Sequence, residues 1–322
     1  MKIGIIGAGK IAAKMAETLQ PFETRRYAIA SRDLSRAREF ADKWGFRKAY
    51  GSYEELVSDP EVELVYIATP HSHHLAHASL AINHGKPVLC EKSFTANARE
   101  ARELISLAHS KGVFITEAIW TRYMPLSLKV NEILESGVLG KLQFLSASIG
   151  YPMLTKERLF RPELAGGALL DVGVYAINFA RMYFGADIES TVSQAVLNET
   201  GMDMQNTISL KYKDGRMANL QSMARSANDL QGIISGQNGF LVVDNINNPG
   251  EVKVYSKDHQ LLQTYTAEGR ITGYEYEVFA CEEAVANGWL ESPYMPHAET
   301  IAIMEQMDAL RAEWGVRFPM DL

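Results

Sequence analysis

Lys2-Ile3-Gly4-Ile5-Ile6-Gly7-Ala8-Gly9-Lys10-Ile11-Ala12 is the stretch on which the reading of this chain turns. An apolar run, Ile3 to Ile6, enters a turn containing Gly7 and Gly9. Lys10 to Leu19 follows, with Ile11, Met15 and Leu19 at i, i+4 and i+8 on one helical face. A strand that is apolar on both faces and leads through a short turn into an amphipathic helix opens a parallel strand–helix–strand unit. The stretch also fits G-x-G-x-x-G/A. Glycines there permit a tight turn and let backbone N–H groups approach a pyrophosphate, which the positive end of the following helix attracts. Alone the pattern is weak, and a glycine turn with no ligand is the alternative. The strand before it and the helix after it supply the context that dinucleotide binding requires. A secretion signal fits poorly, because the apolar run breaks at Gly7 and Gly9 and meets Lys10 and Lys14 with no cleavage site.

Working outward, the first third alternates strand and helix patterns. Strands are expected at Tyr27–Ala30, Val62–Ala68, Pro87–Cys90 and Val113–Thr116, and helices at Leu34–Trp44, Leu75–Ile82 and Ala98–Ser110. This predicts a doubly wound parallel sheet over residues 1–118. After Glu117 the pattern changes. Helices are expected at Pro125–Glu135 and Leu169–Phe184, and a strand at Lys141–Ser148. Seven strands then run in succession from Val192 to Tyr265, and helices return at Tyr274–Ala286 and His297–Glu313. Residues 119–322 therefore read as an α/β domain with a large, mostly antiparallel, open-faced sheet. Helices cannot cover all of such a sheet, so a homo-oligomer built through it is expected.

The 322 residues suit about two domains at roughly 150 residues each. With 32 Lys plus Arg against 39 Asp plus Glu, the net charge of −7 argues against a nucleic-acid binder. No apolar run approaches the ~18 residues of a membrane helix, so no membrane span is expected. Two cysteines, Cys90 and Cys281, cannot make a disulfide framework or a four-thiolate zinc site, and they fit a reducing cytoplasm.

The end of the second strand selects the dinucleotide. Ser31, Arg32 and Arg36 can donate to a 2′-phosphate, while Asp33 starts the next helix as its cap. NADP is therefore expected ahead of NAD. Thr69-Pro70-His71 with His74 follows a strand and should face the cofactor, since ligands bind beyond the carboxyl ends of parallel strands. His73 and His77 stand at i, i+4 and invite a metal. No Cys or paired carboxylate completes a first shell, so no metal is expected and these two rings are read as surface residues. Glu91-Lys92 lies at the end of the next strand, at the same edge as the phosphate turn. In the second half, Asp171, Tyr175 and Asn178 share a face of an otherwise apolar helix. A core tyrosine with one partner is the plain alternative for Tyr175.

With these residues in place, the chain resembles the glucose–fructose oxidoreductase and inositol dehydrogenase (Gfo/Idh/MocA) family along essentially its whole length. The resemblance rests on the Gly7 turn, Thr69-Pro70-His71 with His74, Glu91-Lys92, and Asp171-x-Gly173-x-Tyr175. Glu117 to Tyr123, Glu291-Ser292-Pro293 and Gly315 to Pro319 are similar to its dimeric dihydrodiol dehydrogenase and NADP-dependent xylose dehydrogenase branch, as is tyrosine at 175. It implies an N-terminal Rossmann domain and hydride transfer between NADP and a hydroxyl or carbonyl carbon of a sugar, polyol or cyclic diol. It implies Tyr175 as general acid/base assisted by Lys92, which would meet it in a cleft. Asp171 would orient Lys92 or hold a substrate hydroxyl, and Trp120 and Arg122, with Asn178, would line the substrate pocket. The turn residues Gly7, Gly9, Lys10, Ile11, Thr69, Pro70, His71, His74, Glu91 and Lys92 would hold the cofactor. Ser93 departs from the family's usual proline and leaves the path after Lys92 less constrained. A non-catalytic NADP-binding sensor on the same fold is the rival reading, and a metal-dependent hydrolase using the histidines a third.

Overall fold

Ile3–Ile6 forms β1, and all four of its residues are buried, as a strand covered on both faces requires. The computed structural model describes all 322 residues. They fall into two compact units, Met1–Ile119 with Ile271–Glu305, and Trp120–Arg270 with Gln306–Leu322.

In the first unit β1 is followed by α1 (Lys10–Thr18), β2 (Arg26–Ala30), α2 (Leu34–Trp44), β3 (Lys48–Tyr50), α3 (Tyr53–Ser58), β4 (Leu64–Ile67), α4 (His74–Asn83), β5 (Val88–Glu91), α5 (Ala98–Lys111) and β6 (Ile115–Ala118). The six strands are parallel in the order β3-β2-β1-β4-β5-β6. Strand order reverses between β1 and β4, the switch point outside which a doubly wound sheet binds its ligand. The Gly7 turn follows β1 and Thr69-Pro70-His71 follows β4, so both lie at that point. Asp33 caps α2 as expected, accepting the Ser35 N–H at 2.9 Å.

Sequence periodicity did not resolve β3 and α3. The strand has three residues on the sheet edge, none fully buried, too few for a period-2 signal. The signal that was present for α3 is the capping box, in which Ser52 accepts the Glu55 N–H and Glu55 accepts the Ser52 N–H.

The second unit contains α6 (Pro125–Glu135), β7 (Leu142–Gly150), α7 (Val174–Phe184), β8 (Ile188–Leu197), β9 (Asp203–Tyr212), β10 (Met217–Met223), β11 (Gly232–Gly236), β12 (Gly239–Val243), β13 (Glu251–Ser256) and β14 (Leu261–Thr266). Its eight strands run β14-β13-β12-β11-β7-β10-β9-β8, and only β7 and β10 pair in parallel. Alternation sets the faces. On β9, Met204, Asn206, Ile208, Leu210 and Tyr212 are buried while Gln205, Thr207 and Lys211 are exposed. α7 packs on β7 and β10. Exposed Val192, at 69 %, and Met217 mark the sheet's other exposures.

The helix expected at Leu169–Phe184 is two pieces. Leu169–Gly173 is a π turn, with the Val174 N–H reaching back to the Leu169 carbonyl, and α7 begins only at Val174. Apolar periodicity cannot separate one wide turn from α-helix. The chain then enters α8 (Glu275–Ala286) and α9 (His297–Trp314). Ile271–Glu305 groups with the first unit, a return that a division at 118/119 does not include. No helix is long and apolar enough to cross a membrane.

Candidate active site

In the first unit the turn after β1 is shaped for a dinucleotide. Gly7 sits at φ +100°, and a Cβ there would press on the Ala68 carbonyl oxygen at 2.9 Å. A Cβ on Gly9 would meet nothing within 4 Å, so open space lies against the start of α1. Gly9 caps α1 without a side-chain bond, and the first turn carries no acidic residue, so the positive end of this helix is left for an anion. Lys10 and Ile11 form its first turn. These features fit a pyrophosphate.

Beside the turn, the Arg36 guanidinium donates to the Ala8 carbonyl at 3.0 Å. Ser31 is 8 % exposed and Arg32 is exposed. Burial raises the Tyr53 phenol and the charges of Arg32 and Arg36 oppose it, so all three groups share one neighbourhood. His77 belongs to it as well. It is half-buried, its Nδ1 lies 3.0 Å from the Thr69 hydroxyl, and its ring meets Tyr53 edge-on at 4.6 Å. The surface reading of His77 is thus corrected, because α4 starts early enough to turn the ring onto the Thr69 turn. Burial pulls His77 down to about 4, leaving it neutral. No group of three His, Cys, Asp or Glu side chains converges as a metal site does.

The turn after β4 is tied to the Lys92 segment by His74. This ring is fully buried, with Nε2 at 2.7 Å from the Thr69 carbonyl and Nδ1 at 3.0 Å and 3.1 Å from those of Ser93 and Phe94. Burial draws its pKa down to about 4 against the pull of those carbonyls. The Phe94 N–H adds a bond to Glu117 at 3.1 Å, and Ser93 is fully buried. The path after Lys92 is therefore held without proline, by carbonyl contacts that the sequence did not display. His71, 7 % exposed, packs edge-on against His74. Glu91 accepts from the Tyr66 hydroxyl and, at 3.2 Å, from the Lys92 N–H. Glu277 of α8, missed from sequence, is also fully buried here. Burial, then the charges of Glu91 and Glu275, holds its carboxyl well above the usual range.

In the second unit the π turn and α7 carry the polar face. Tyr175 is 6 % exposed, and its hydroxyl oxygen accepts the Trp120 indole N–H at 3.1 Å. One helical turn on, Asn178 is fully buried. It accepts from Arg122 Nε at 2.5 Å and donates to the Val174 carbonyl at 2.8 Å. Arg122 is buried, and Trp120 lies on the tyrosine rather than serving only as core. Asp171, 3 % exposed, pairs with Arg158, and Lys156 Nζ stands 3.8 Å from its Oδ2. Neither cation was found from sequence, since the 151–164 segment has no periodicity that fixes side-chain direction.

Comparison with known proteins gives the family of the chain. Residues 1–118 match the family model described as oxidoreductase family, NAD-binding Rossmann fold, of Gfo/Idh/MocA type, and residues 127–242 match the model of that family's C-terminal domain. The chain is 35 % identical over 329 residues to the trans-1,2-dihydrobenzene-1,2-diol dehydrogenase of Mus musculus, covering 100 % of this chain and 99 % of the relative. It is 36 % identical over 331 residues to the Bos taurus protein of the same name, with 100 % and 99 % covered. Among solved structures it is similar to KijD10, a 3-ketoreductase from Actinomadura kijaniata in complex with TDP-benzene and NADP in an open conformation. That match has a TM-score of 0.84 at 25 % identity and covers 97 % of this chain and 96 % of the other.

Proposed function

Because the chain belongs to the Gfo/Idh/MocA oxidoreductase family and is an NAD(P)-dependent oxidoreductase of that type, we propose that it is an NADP-dependent dehydrogenase acting on a secondary hydroxyl of a sugar, polyol or cyclic trans-diol. Tyr175 is the general acid/base and Lys92 assists it. The observation that carries this reading is the buried Tyr175 hydroxyl oxygen accepting the Trp120 N–H. A donor aimed at a phenol oxygen favours its anionic form, which is the form that removes a proton.

NADP, when bound, supplies the carbon that accepts or gives the hydride. Arg32, Arg36 and Ser31 select it by meeting the 2′-phosphate, and the uncapped start of α1 holds the pyrophosphate. Tyr175 takes the hydroxyl proton in oxidation and returns it in reduction. Arg122, fixed by Asn178, and the Asp171–Arg158 pair present fixed donors and acceptors to substrate hydroxyls. The preference for NADP is supported by the NADP bound to the structural relative. A cyclic trans-diol substrate is supported by the names of the relatives. The chain is read as cytoplasmic, where the free buried thiols Cys90 and Cys281 stay reduced, and as a homo-oligomer through the second-unit sheet.

The test is NADP⁺ reduction over aldoses, inositols and trans-dihydrodiols, with Tyr175→Phe and Lys92→Met singly and together. Turnover should fall steeply in Tyr175→Phe with NADPH binding kept. The double variant should lose little more than the worse single one, as groups serving one step do. Near wild-type turnover in Tyr175→Phe removes the assignment. Tight NADPH binding with no oxidation of any substrate would favour the sensor.

A further inference from the structure

We propose that Asp203 is a positioning residue for this reaction, holding the π turn that carries Asp171 and leads into Tyr175. The proposal rests on the reading of Tyr175 and Asp171 given above.

Asp203 opens β9 and is 1 % exposed. Its Oδ2 accepts the Leu169 N–H at 2.8 Å, the first residue of the π turn. The same oxygen accepts the Asn206 side-chain amide at 3.0 Å. Asn206 in turn accepts the Ser222 hydroxyl at 2.9 Å. Ser222 lies at the other end of the turn, where a Cβ on Gly173 would come within 2.9 Å of its Oγ. One polar chain, Asp203–Asn206–Ser222, thus touches the first and last residues of the five that hold Asp171. Asp203 also shapes the entry. Gly167 sits at φ +101°, and any Cβ there would collide with Asp203 Oδ1.

The arrangement is costly. Asp203 Oδ1 is buried with no hydrogen-bond partner, and burial raises the carboxyl to about 6, opposed by the Leu169 N–H, by Asn206 and by the charge of Arg311 on α9. A fold seeking stability alone does not leave a buried carboxylate oxygen unmet. Wide turns of this type recur at functional sites, where they re-aim one side chain against its helical neighbours. Here the neighbours are Asp171 and Tyr175.

The experiment compares wild type, Asp203→Ala, Asp203→Asn and Ser222→Ala. It reads kcat per NADPH-binding site and amide hydrogen exchange resolved by segment. Asp203→Ala should lower kcat per site by about tenfold to a hundredfold, as displacement of a catalytic group by an ångström does, with NADPH affinity within about twofold. Exchange should quicken across residues 168–178 and stay slow in β8–β10. Asp203→Asn keeps an oxygen that accepts both bonds and should restore most of the activity. Ser222→Ala should give the same local pattern more weakly, and it carries the comparison if Asp203→Ala does not fold. The proposal falls if kcat per site is unchanged, if exchange quickens evenly over the whole sheet, or if Asn is as poor as Ala. Tyr175→Phe is the control, and its exchange should match wild type. If that variant keeps turnover, the acid/base reading fails, while the exchange data still decide whether Asp203 holds the turn.

Discussion

Trp120→Phe isolates the contact on which the acid/base assignment depends. The indole N–H lies 3.1 Å from the Tyr175 oxygen, and both side chains are buried. A hydrogen bond to a neutral acceptor contributes roughly 1 kcal/mol, and one to a charged acceptor about 1.5–3 kcal/mol. Only the difference between the two forms alters the proton-transfer step, because what both forms share cancels. That difference is about 0.5–2 kcal/mol, which at 1.36 kcal/mol per decade is a loss of about twofold to thirtyfold in kcat. Phenylalanine keeps an aromatic ring in the site, so the N–H is the principal loss. The assay is steady-state NADP⁺ reduction with the best substrate of the panel, with NADPH affinity measured by calorimetry. In a Tyr175→Phe background the same substitution should cost nothing further, since there is no phenol left to assist. A kcat within twofold of wild type, or an equal loss in both backgrounds, would refute the reasoning.

The cofactor turn gives a contrast between two glycines. Gly7→Ala should cost about 1–3 kcal/mol of stability, because Gly7 holds φ +100° against the Ala68 carbonyl; Gly9→Ala, pointing into open space, should leave thermal stability unchanged and weaken NADPH binding more than about tenfold by filling the approach to α1. Arg36→Ala should weaken NADP⁺ by about tenfold or more and NAD⁺ little, the expected loss of one charge-assisted phosphate contact; equal effects on both would remove Arg36 from the 2′-phosphate. Asp203, held at about 6 by burial, is protonated in the folded state and ionised in the unfolded chain between about pH 4 and 6, so stability falls as pH rises through that window, by up to about 3 kcal/mol. Chemical denaturation of wild type and Asp203→Asn should therefore diverge from pH 4 to 7.5, in favour of Asn, and a constant difference would contradict the burial account.

The parallel sheet was legible because its strands are short and apolar on both faces and its turns carry glycines that nothing else explains. The antiparallel sheet was legible from alternation. What stayed hidden was whatever periodicity does not encode. A three-residue edge strand has no period, and the π turn at Leu169–Gly173 keeps its residues as apolar as an α-helix would. The residues proposed for chemistry were visible as polar groups out of place, and Tyr175, Asn178 and Lys92 are of that kind. Their partners were not visible. Arg158 reaches Asp171 from the short 3-10 turn Glu157–Phe160, and His77 reaches Thr69 across a turn. These are contacts of three-dimensional origin between residues that look ordinary one at a time.

Two buried carboxyls show where this fold departs from its own stability optimum. Asp203 leaves one oxygen unmet, and Glu277 has no hydrogen-bond partner on either oxygen. Burial raises both, and each stands beside a segment with a proposed role, Asp203 at the π turn and Glu277 near Glu91. One buried carboxyl of the same chain is far better served. Asp59, also buried, receives Tyr27, Lys48 and Tyr50 and is held well below the carboxylate range despite its burial. A sequence able to surround one buried carboxyl with three donors and leave two others underserved, one at the π turn and one near Glu91, accepts destabilisation at those two places, the cost expected if the roles proposed for these segments hold.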